Sequence, residues 1–321
     1  MNDRKTIDFA DMVFLPAIDP KIWLFPQDYV IVDECQDLNR AQQRMIEKMI
    51  KKDRKTKLVT GRLIAIGDPH QSIYSFAGSD SNSFEWFRKY PNIKILPLTH
   101  TFRCGVEIVN EARKIVKDIK PMEGAHKGEV KEGDVVGDPV EGDFVLCRKT
   151  SPLVNLFFQY LLRGEKATIK GRDIGLSLLE MLNGHKSTGQ ALGYWATEQE
   201  HLKVNLKKQG ILDYEDHSGY SALTDKLNTL SFLAKLSSNL EDLKKKIGIV
   251  FSDDLQGIVL STVHKAKGLE ADRVFIARPE LLPMPAKKPW QAEQEKNLHY
   301  VAVTRARNEL IYDYEWNDEK E

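Results

Sequence analysis

Asp33 and Glu34 stand side by side at the end of "YVIV" (29–32), a short apolar run that reads as a buried strand. The carboxyl end of such a strand presents its next residues into the crevice where α/β sheets bind ligands. The first carboxylate suits Mg²⁺, directly or through water, and the second can orient and deprotonate an attacking water. A second set follows the next apolar run, "RLIAIGD" (62–68), in "IGDPHQSIYSFAGSD" (66–80). Gln71 is a neutral donor and acceptor fit to sense a γ-phosphate or the attacking water. Tyr74 and Phe76 bring flat rings that stack on bases. An acidic pair in a turn is common by itself. The two sets together, on consecutive strands of one crevice, point to triphosphate chemistry beside a nucleic-acid track.

Such a site needs a phosphate cradle, GxxxxGK[ST] after a strand, whose backbone N–H groups and lysine hold the phosphates. No Gly-Lys dipeptide occurs in the chain, and the nearest imitation, "NGHKSTG" (183–189), has a histidine between glycine and lysine. It follows a helix-like stretch rather than a strand and reads as a loop.

The 321 residues are enough for about two domains and a sizeable core. The 47 basic and 47 acidic side chains cancel, so a phosphate-binding surface has to be a local patch. Cys35, Cys104 and Cys147 lie far apart without a CxxC pair, which fits neither a zinc site nor a disulfide framework. No apolar run approaches a membrane span, and the charged start "MNDRKTIDFADMVFLP" lacks the core of a signal peptide. These features point to a soluble, cytoplasmic protein with reduced thiols.

Alternating strands and helices predict an α/β fold with parallel sheets. Between the first two strands, "NRAQQRMIEKMIKK" (39–52) has the apolar spacing of one helical face. Residues 1–97 form a first α/β domain. A second is split into 98–171 and 248–321, its first part led in by the strand-like run "IKILPL" (93–98). Within it fall a helix around 105–117, turns or a hairpin over 120–142, the runs "DFVLCR" (143–148), "GIVLSTVH" (257–264) and "DRVFIAR" (272–278), and "ELIYDYE" (309–315). Residues 172–247 form a small helical insertion. There Thr197 and Glu200 read as a capping box, and Leu223, Leu227, Leu230, Leu233, Leu236, Leu240, Leu243 and Ile247 make a packing stripe.

"VIVDECQDLN", "IGDPHQSIYSFAGS", "LTHTFRC" (98–104), "IVLSTVHKAKGLEADRVFI" (258–276) and "LHYVAVTRARNEL" (298–310) occur in one order. They resemble motifs II to VI of the UvrD/PcrA/Rep group of superfamily 1 DNA helicases. The resemblance implies two RecA-like domains, the first incomplete, and ATP with Mg²⁺ bound between them. By motif position Asp33 would serve Mg²⁺, Glu34 would activate water, and Gln71 would couple the γ-phosphate to DNA. Arg103 and Arg305 would be arginine fingers. Phe102 stands where the family has a tyrosine on adenine, and Gly268 and Glu270, in "KGLE", would meet the nucleotide, Glu270 at the ribose. On the track side, Phe76 matches a base-stacking tryptophan, Tyr74 lies beside it, and Thr262 and His264 fall where motif V touches the strand; Lys265 and Lys267 could meet phosphates.

In that family the phosphate loop precedes the point where this chain starts. The expectation is therefore the motor portion of a helicase or single-stranded DNA translocase that needs a Walker A segment in cis or in trans. Alone it should hydrolyse ATP feebly or not at all, and its first sheet should have an exposed edge or apolar face. Stacking is blind to the sugar, so RNA stays open beside DNA. The other reading is a non-catalytic, helicase-derived protein that binds DNA or a partner.

Overall fold

The computed structural model describes residues 7–74, 82–90, 92–252, 256–286 and 288–318. Its contacts divide the chain into two compact units, Met1–Leu98 and Thr99–Glu321.

In the first unit, helix α1 (Phe9–Ile18) precedes strand β1 (Tyr29–Val32), helix α2 (Arg40–Met49), strand β2 (Arg62–Ala65) and helix α3 (Ser83–Arg88). Asn39 and Gln42 fix where α2 begins. The Asn39 side chain accepts from the Gln42 N–H at 2.9 Å, and the Gln42 side chain accepts from the Asn39 N–H at 2.8 Å. β1 and β2 pair in parallel, with Val30 opposite Leu63 and Val32 opposite Ala65. Their inner face, Val30 and Val32, packs with Ile46, Ile50 and Phe87 into a small core. The other face is open: Tyr29, Ile31, Ile64 and Ile66 are all exposed, Ile31 at 66%. The run 93–98 forms no strand and belongs to the first unit, with Ile95, Leu96 and Leu98 exposed. Its apolar composition suits a strand, but a strand requires a ladder, and none reaches it among the described residues.

The second unit is built on a seven-stranded sheet in which every ladder is parallel. In chain order its strands are β5 (Glu129–Glu132), β6 (Phe144–Cys147), β7 (Ala167–Lys170), β8 (Phe251–Ser252), β9 (Ile258–Thr262), β10 (Ala271–Ala277) and β11 (Ala306–Asp313). They lie side by side as β5-β11-β10-β6-β9-β7-β8. Every residue of β6 and β9 is buried, as expected of strands covered on both faces. A short parallel pair, β3 (His100–Thr101) and β4 (Lys120–Pro121), flanks helix α4 (Val106–Arg113). The stretch 120–142 is thus no hairpin: β5 within it is an edge strand that runs parallel to β11.

Helices α5 (Ser151–Leu162) and α11 (Pro289–Val303) and the short α10 (Val263–Ala266) connect the strands. Four more lie between β7 and β8, in the stretch expected to be an insertion: α6 (Arg172–Leu182), α7 (Thr188–Lys208), α8 (Ser218–Lys235) and α9 (Leu240–Val250). Thr197 is not a cap. It lies inside α7 with its hydroxyl on the Gly193 carbonyl at 3.0 Å, while Ser187 caps the helix by accepting from the Gln190 N–H at 3.2 Å. A capping box needs its first residue in an extended conformation, and Thr197 is instead helical, inside α7. "NGHKSTG" is the turn that leads into this cap.

The leucine stripe breaks between α8 and α9, where Leu236 follows the end of α8 and is exposed rather than packed, but most of its other members are buried. Leu227, Leu230, Leu233, Leu243 and Ile247 share a single core with Leu153 and Phe157 of α5 and with Ile169 and Leu260 of the sheet. Asp225 of α8 also accepts from the N–H groups of Thr150 and Ser151, each at 2.8 Å, and so satisfies the first turn of α5. Because Leu230 is fully buried in this shared core, Leu230→Ala should cost about 2–5 kcal/mol in urea denaturation. The insertion helices and the sheet should lose structure in one transition. A separate, earlier melting of α6–α9 would contradict a shared core.

Candidate functional site

Parallel pairing sends the loops after β1 and β2 to the same edge of the first unit. Directly after β1, Asp33 and Glu34 are exposed. Glu34 adopts a left-handed backbone, φ 49° and ψ 42°, and its N–H donates to Asp33 Oδ1 at 2.9 Å. A side chain held there costs on the order of 1 kcal/mol, so the surroundings must over-determine it. They do so through a tight turn, Cys35–Asp37, pinned by the Cys35 N–H on the Ile66 carbonyl at 3.0 Å. Burial pushes the Cys35 thiol up to about 11, so it is an unreactive packing group. Ser83, at the start of α3, closes the turn by donating to the Cys35 carbonyl at 2.7 Å.

Gln36 lies beneath the acidic pair at 1% exposure. Its Nε2 donates to Glu34 Oε2 at 2.5 Å, and its Oε1 accepts the Asp68 N–H at 3.1 Å. The Asp68 carboxylate in turn accepts the His70 N–H and Gln71 Nε2, both at 2.9 Å. Tyr74 is half-buried nearby in sequence; Phe76 lies outside the described residues. Among the described residues no three His, Cys, Asp or Glu side chains converge as a metal cage. Mg²⁺ in nucleotide sites takes one or two carboxylates and completes its shell with phosphates and water, and the exposed Asp33 carboxylate fits that donor set.

In the second unit β10 and β11 start in register, Ala271 opposite Ala306, so Glu270 and Arg305 emerge as neighbours at the amino edge of the sheet. Gly268, with φ at +83°, makes the turn from α10 into β10. The Gly105 N–H bonds the Arg307 carbonyl at 2.9 Å and brings the 102–104 segment to the same edge. There Arg103 Nε donates to Glu270 Oε2, and Arg103 Nη1 to the Thr304 carbonyl at 3.2 Å. Arg307 donates to Glu270 Oε1 from Nη2 at 2.6 Å and from Nε at 3.1 Å. The hydrogen bonds from Arg307, and then from Arg103, hold the Glu270 carboxyl below its ordinary range.

Arg305 is 1% exposed. Its guanidinium donates to the Val301 carbonyl at 2.9 Å, the Leu269 carbonyl at 3.0 Å and Thr304 Oγ1 at 3.2 Å. Burial, then the neighbouring Arg103, pushes it down to about 10, so it is still cationic at neutral pH. Its donors face two protein carbonyls and a hydroxyl, whereas Phe102 is 80% exposed.

Thr262 and His264 are elsewhere. Thr262 ends β9 and His264 follows it, at the opposite, carboxyl edge of the same sheet, one strand length or roughly 15 Å away. Thr262 is buried and His264 half-buried. Desolvation, then Arg148 and Lys265, pushes His264 down to about 3, which keeps it neutral at physiological pH. Lys265 pairs with Asp173 at 2.5 Å, and Arg148 with Glu295 at 2.6 Å.

Residues 1–92 match the UvrD/REP helicase N-terminal domain, and residues 197–316 match the UvrD-like helicase C-terminal domain. The chain belongs to the UvrD-like helicase family. F-box DNA helicase 1 of Gallus gallus is 26% identical over 88% of this chain and 29% of its own length. ATP-dependent DNA helicase UvrD2 of Mycobacterium bovis is 24% identical over 87% of this chain and 46% of its own. A shorter match, 32% identical over 37% of this chain and 18% of the relative, is to ATP-dependent DNA helicase Rep of Buchnera aphidicola. The chain thus spans less than half the length of these relatives.

Two residues in this arrangement escaped the sequence reading. Gln36 sits in the quoted "VDECQD", but nothing in spacing says that an amide so close to the surface acids turns inward. Arg307 is the second guanidinium of "RAR", and only the register of β10 with β11 brings it to Glu270. With the folded Glu270 carboxyl below its ordinary 4.5, its ion pairs support the fold fully above pH 4.5 and fade as pH falls through the lowered value. Between pH 6 and pH 3, wild type should lose more stability than Glu270→Gln in urea titrations. Equal losses would show that the cluster contributes nothing.

Proposed function

We propose that this chain is the motor portion of an ATP-dependent DNA helicase that tracks along single-stranded DNA, with its phosphate loop supplied by a segment outside these 321 residues. The observation that carries this reading is the convergence of Arg103, Glu270 and Arg305 from distant parts of the chain, Arg103 and Glu270 being 167 residues apart in sequence. Two guanidinium groups beside a carboxylate suit a nucleotide: the carboxylate accepts from ribose hydroxyls, and the guanidiniums offset charge on a phosphoryl group. Exposed Phe102 offers a ring for the base.

In the first unit, Glu34 is the hydrolytic base and Gln71, one turn away across Asp68, is the γ-phosphate sensor. Mg²⁺ held by Asp33 would neutralise phosphate charge when bound. Tyr74, Phe76, Thr262 and His264 are assigned to the track. The neutral His264 would act there as a hydrogen-bonding or stacking group, not as a cation.

The open face of β1 and β2, together with the unladdered run 93–98, supports a first unit completed by further parallel strands. A parallel pair is normally covered on both faces. A strand–loop–helix segment with the Walker A sequence meets that need and brings the missing cradle. The lack of any Gly-Lys dipeptide in the chain favours one other reading, a helicase-derived binding protein without turnover.

An ATPase assay separates the two. The chain alone should turn over little ATP, and adding the phosphate-loop segment in trans should give turnover stimulated by single-stranded DNA. Robust turnover by the chain alone would remove the need for an outside cradle; none in either case would leave the binding protein. In the complemented enzyme Arg305→Ala should abolish turnover and leave DNA affinity nearly intact. Phe76→Ala should weaken single-strand binding by roughly 1–3 kcal/mol, and unchanged binding would remove Phe76 from the track.

A further inference from the structure

The acidic turn holds a polar side chain that the hydrolytic reading has not used. Gln36 is buried at 1% exposure between two loops, and both ends of its amide are engaged. An amide side chain has two flipped orientations, and here the partners decide between them. The Asp68 N–H can only donate, so Oε1 must face it, and Nε2 is left to donate to the Glu34 carboxylate. Nε2 donates to Glu34 Oε2 at 2.5 Å and, more weakly, to Asp37 Oδ2 at 3.4 Å, so the donor end is committed to the acidic turn.

The space around the amide is closed on the other side. A Cβ on Gly67 would lie 2.4 Å from Gln36 Oε1 and 2.7 Å from Cys35 Sγ, so only glycine lets this side chain pass under the loop. Glu34 itself sits in a left-handed conformation that does not hold itself.

We infer that Gln36 is the positioning residue for the Glu34 base and ties its carboxylate to the turn that carries Gln71. The route runs from Glu34 Oε2 to the Gln36 amide, from there to the Asp68 backbone, and from the Asp68 carboxylate to Gln71 Nε2. A movement of Gln71 toward a phosphate pulls on Asp68, and through Gln36 it reorients the carboxylate that must face the attacking water. Gln36 is buried and acts through Glu34. This rests on the reading of Glu34 as the base.

Two substitutions separate positioning from simple packing. Gln36→Leu keeps much of the volume and loses both hydrogen bonds. Gln36→Glu keeps an acceptor for the Asp68 N–H but replaces the donor to Glu34 with a second negative charge. In the complemented enzyme, Gln36→Glu should lower kcat at least tenfold with KM for ATP and the single-stranded DNA affinity unchanged. In the full chain by itself, Asp68 amide exchange should stay at the wild-type rate in Gln36→Glu and rise roughly tenfold in Gln36→Leu, the scale of one lost hydrogen bond. Wild-type kcat in Gln36→Glu would overturn the positioning role. So would a loss of kcat that appears only together with faster Asp68 exchange, since that pattern is loss of packing. If the wild-type complemented enzyme turns over no ATP, the hydrolase reading falls by itself. The linkage is then decided by exchange alone, and an unchanged Asp68 rate in Gln36→Leu overturns it.

Discussion

Parallel strand pairing is the constraint from which the arrangement of chemistry follows. When every strand of a sheet runs the same way, all loops that leave strands gather at one edge and all loops that enter them at the other. In the first unit this places the turn after β1 beside the turn after β2, close enough for one glutamine amide to bridge them. In the second unit it separates two groups. Arg103, Glu270, Arg305 and Arg307 collect where β10 and β11 begin, and Thr262 and His264 lie where β9 ends. On the proposed reading the first group meets the nucleotide and the second meets the nucleic-acid strand.

The same constraint has an energetic side. Parallel strands need apolar cover on both faces, and the second unit has it. Its central strands are buried throughout, and the inserted helices extend the same core rather than forming a body of their own. Asp225 adds a polar tie by satisfying backbone donors at the start of α5. An insertion welded in this way moves with its sheet. The first unit meets the requirement on one face only, where Val30 and Val32 are covered and Tyr29 and Ile31 are not.

The parallel α/β class was legible in the sequence because apolar runs such as "IVLST" alternate with helical periodicity, and the family was legible because five long motifs stand in order. Local pattern failed where tertiary context overrides it. Thr197 and Glu200 have the spacing of a cap but sit in mid-helix, and 93–98 has the composition of a strand but no ladder. The inward turn of Gln36 and the clasp of Arg307 on Glu270 depend on register between strands far apart in sequence, which no local window contains. The burial of Arg305 is of the same kind, since its carbonyl acceptors come from α11 and from the turn before β10.

The most direct test is chemical-shift mapping of the complemented chain, first with Mg²⁺ and a non-hydrolysable ATP analogue and then with single-stranded DNA. The expected result is that nucleotide perturbs the cluster of Arg103, Glu270 and Arg305 at the amino edge of the second unit's sheet. DNA should instead perturb Thr262 and His264. Nucleotide shifts centred on Thr262 and His264, or DNA shifts centred on Arg103, Glu270 and Arg305, would contradict the division of chemistry between the two sheet edges.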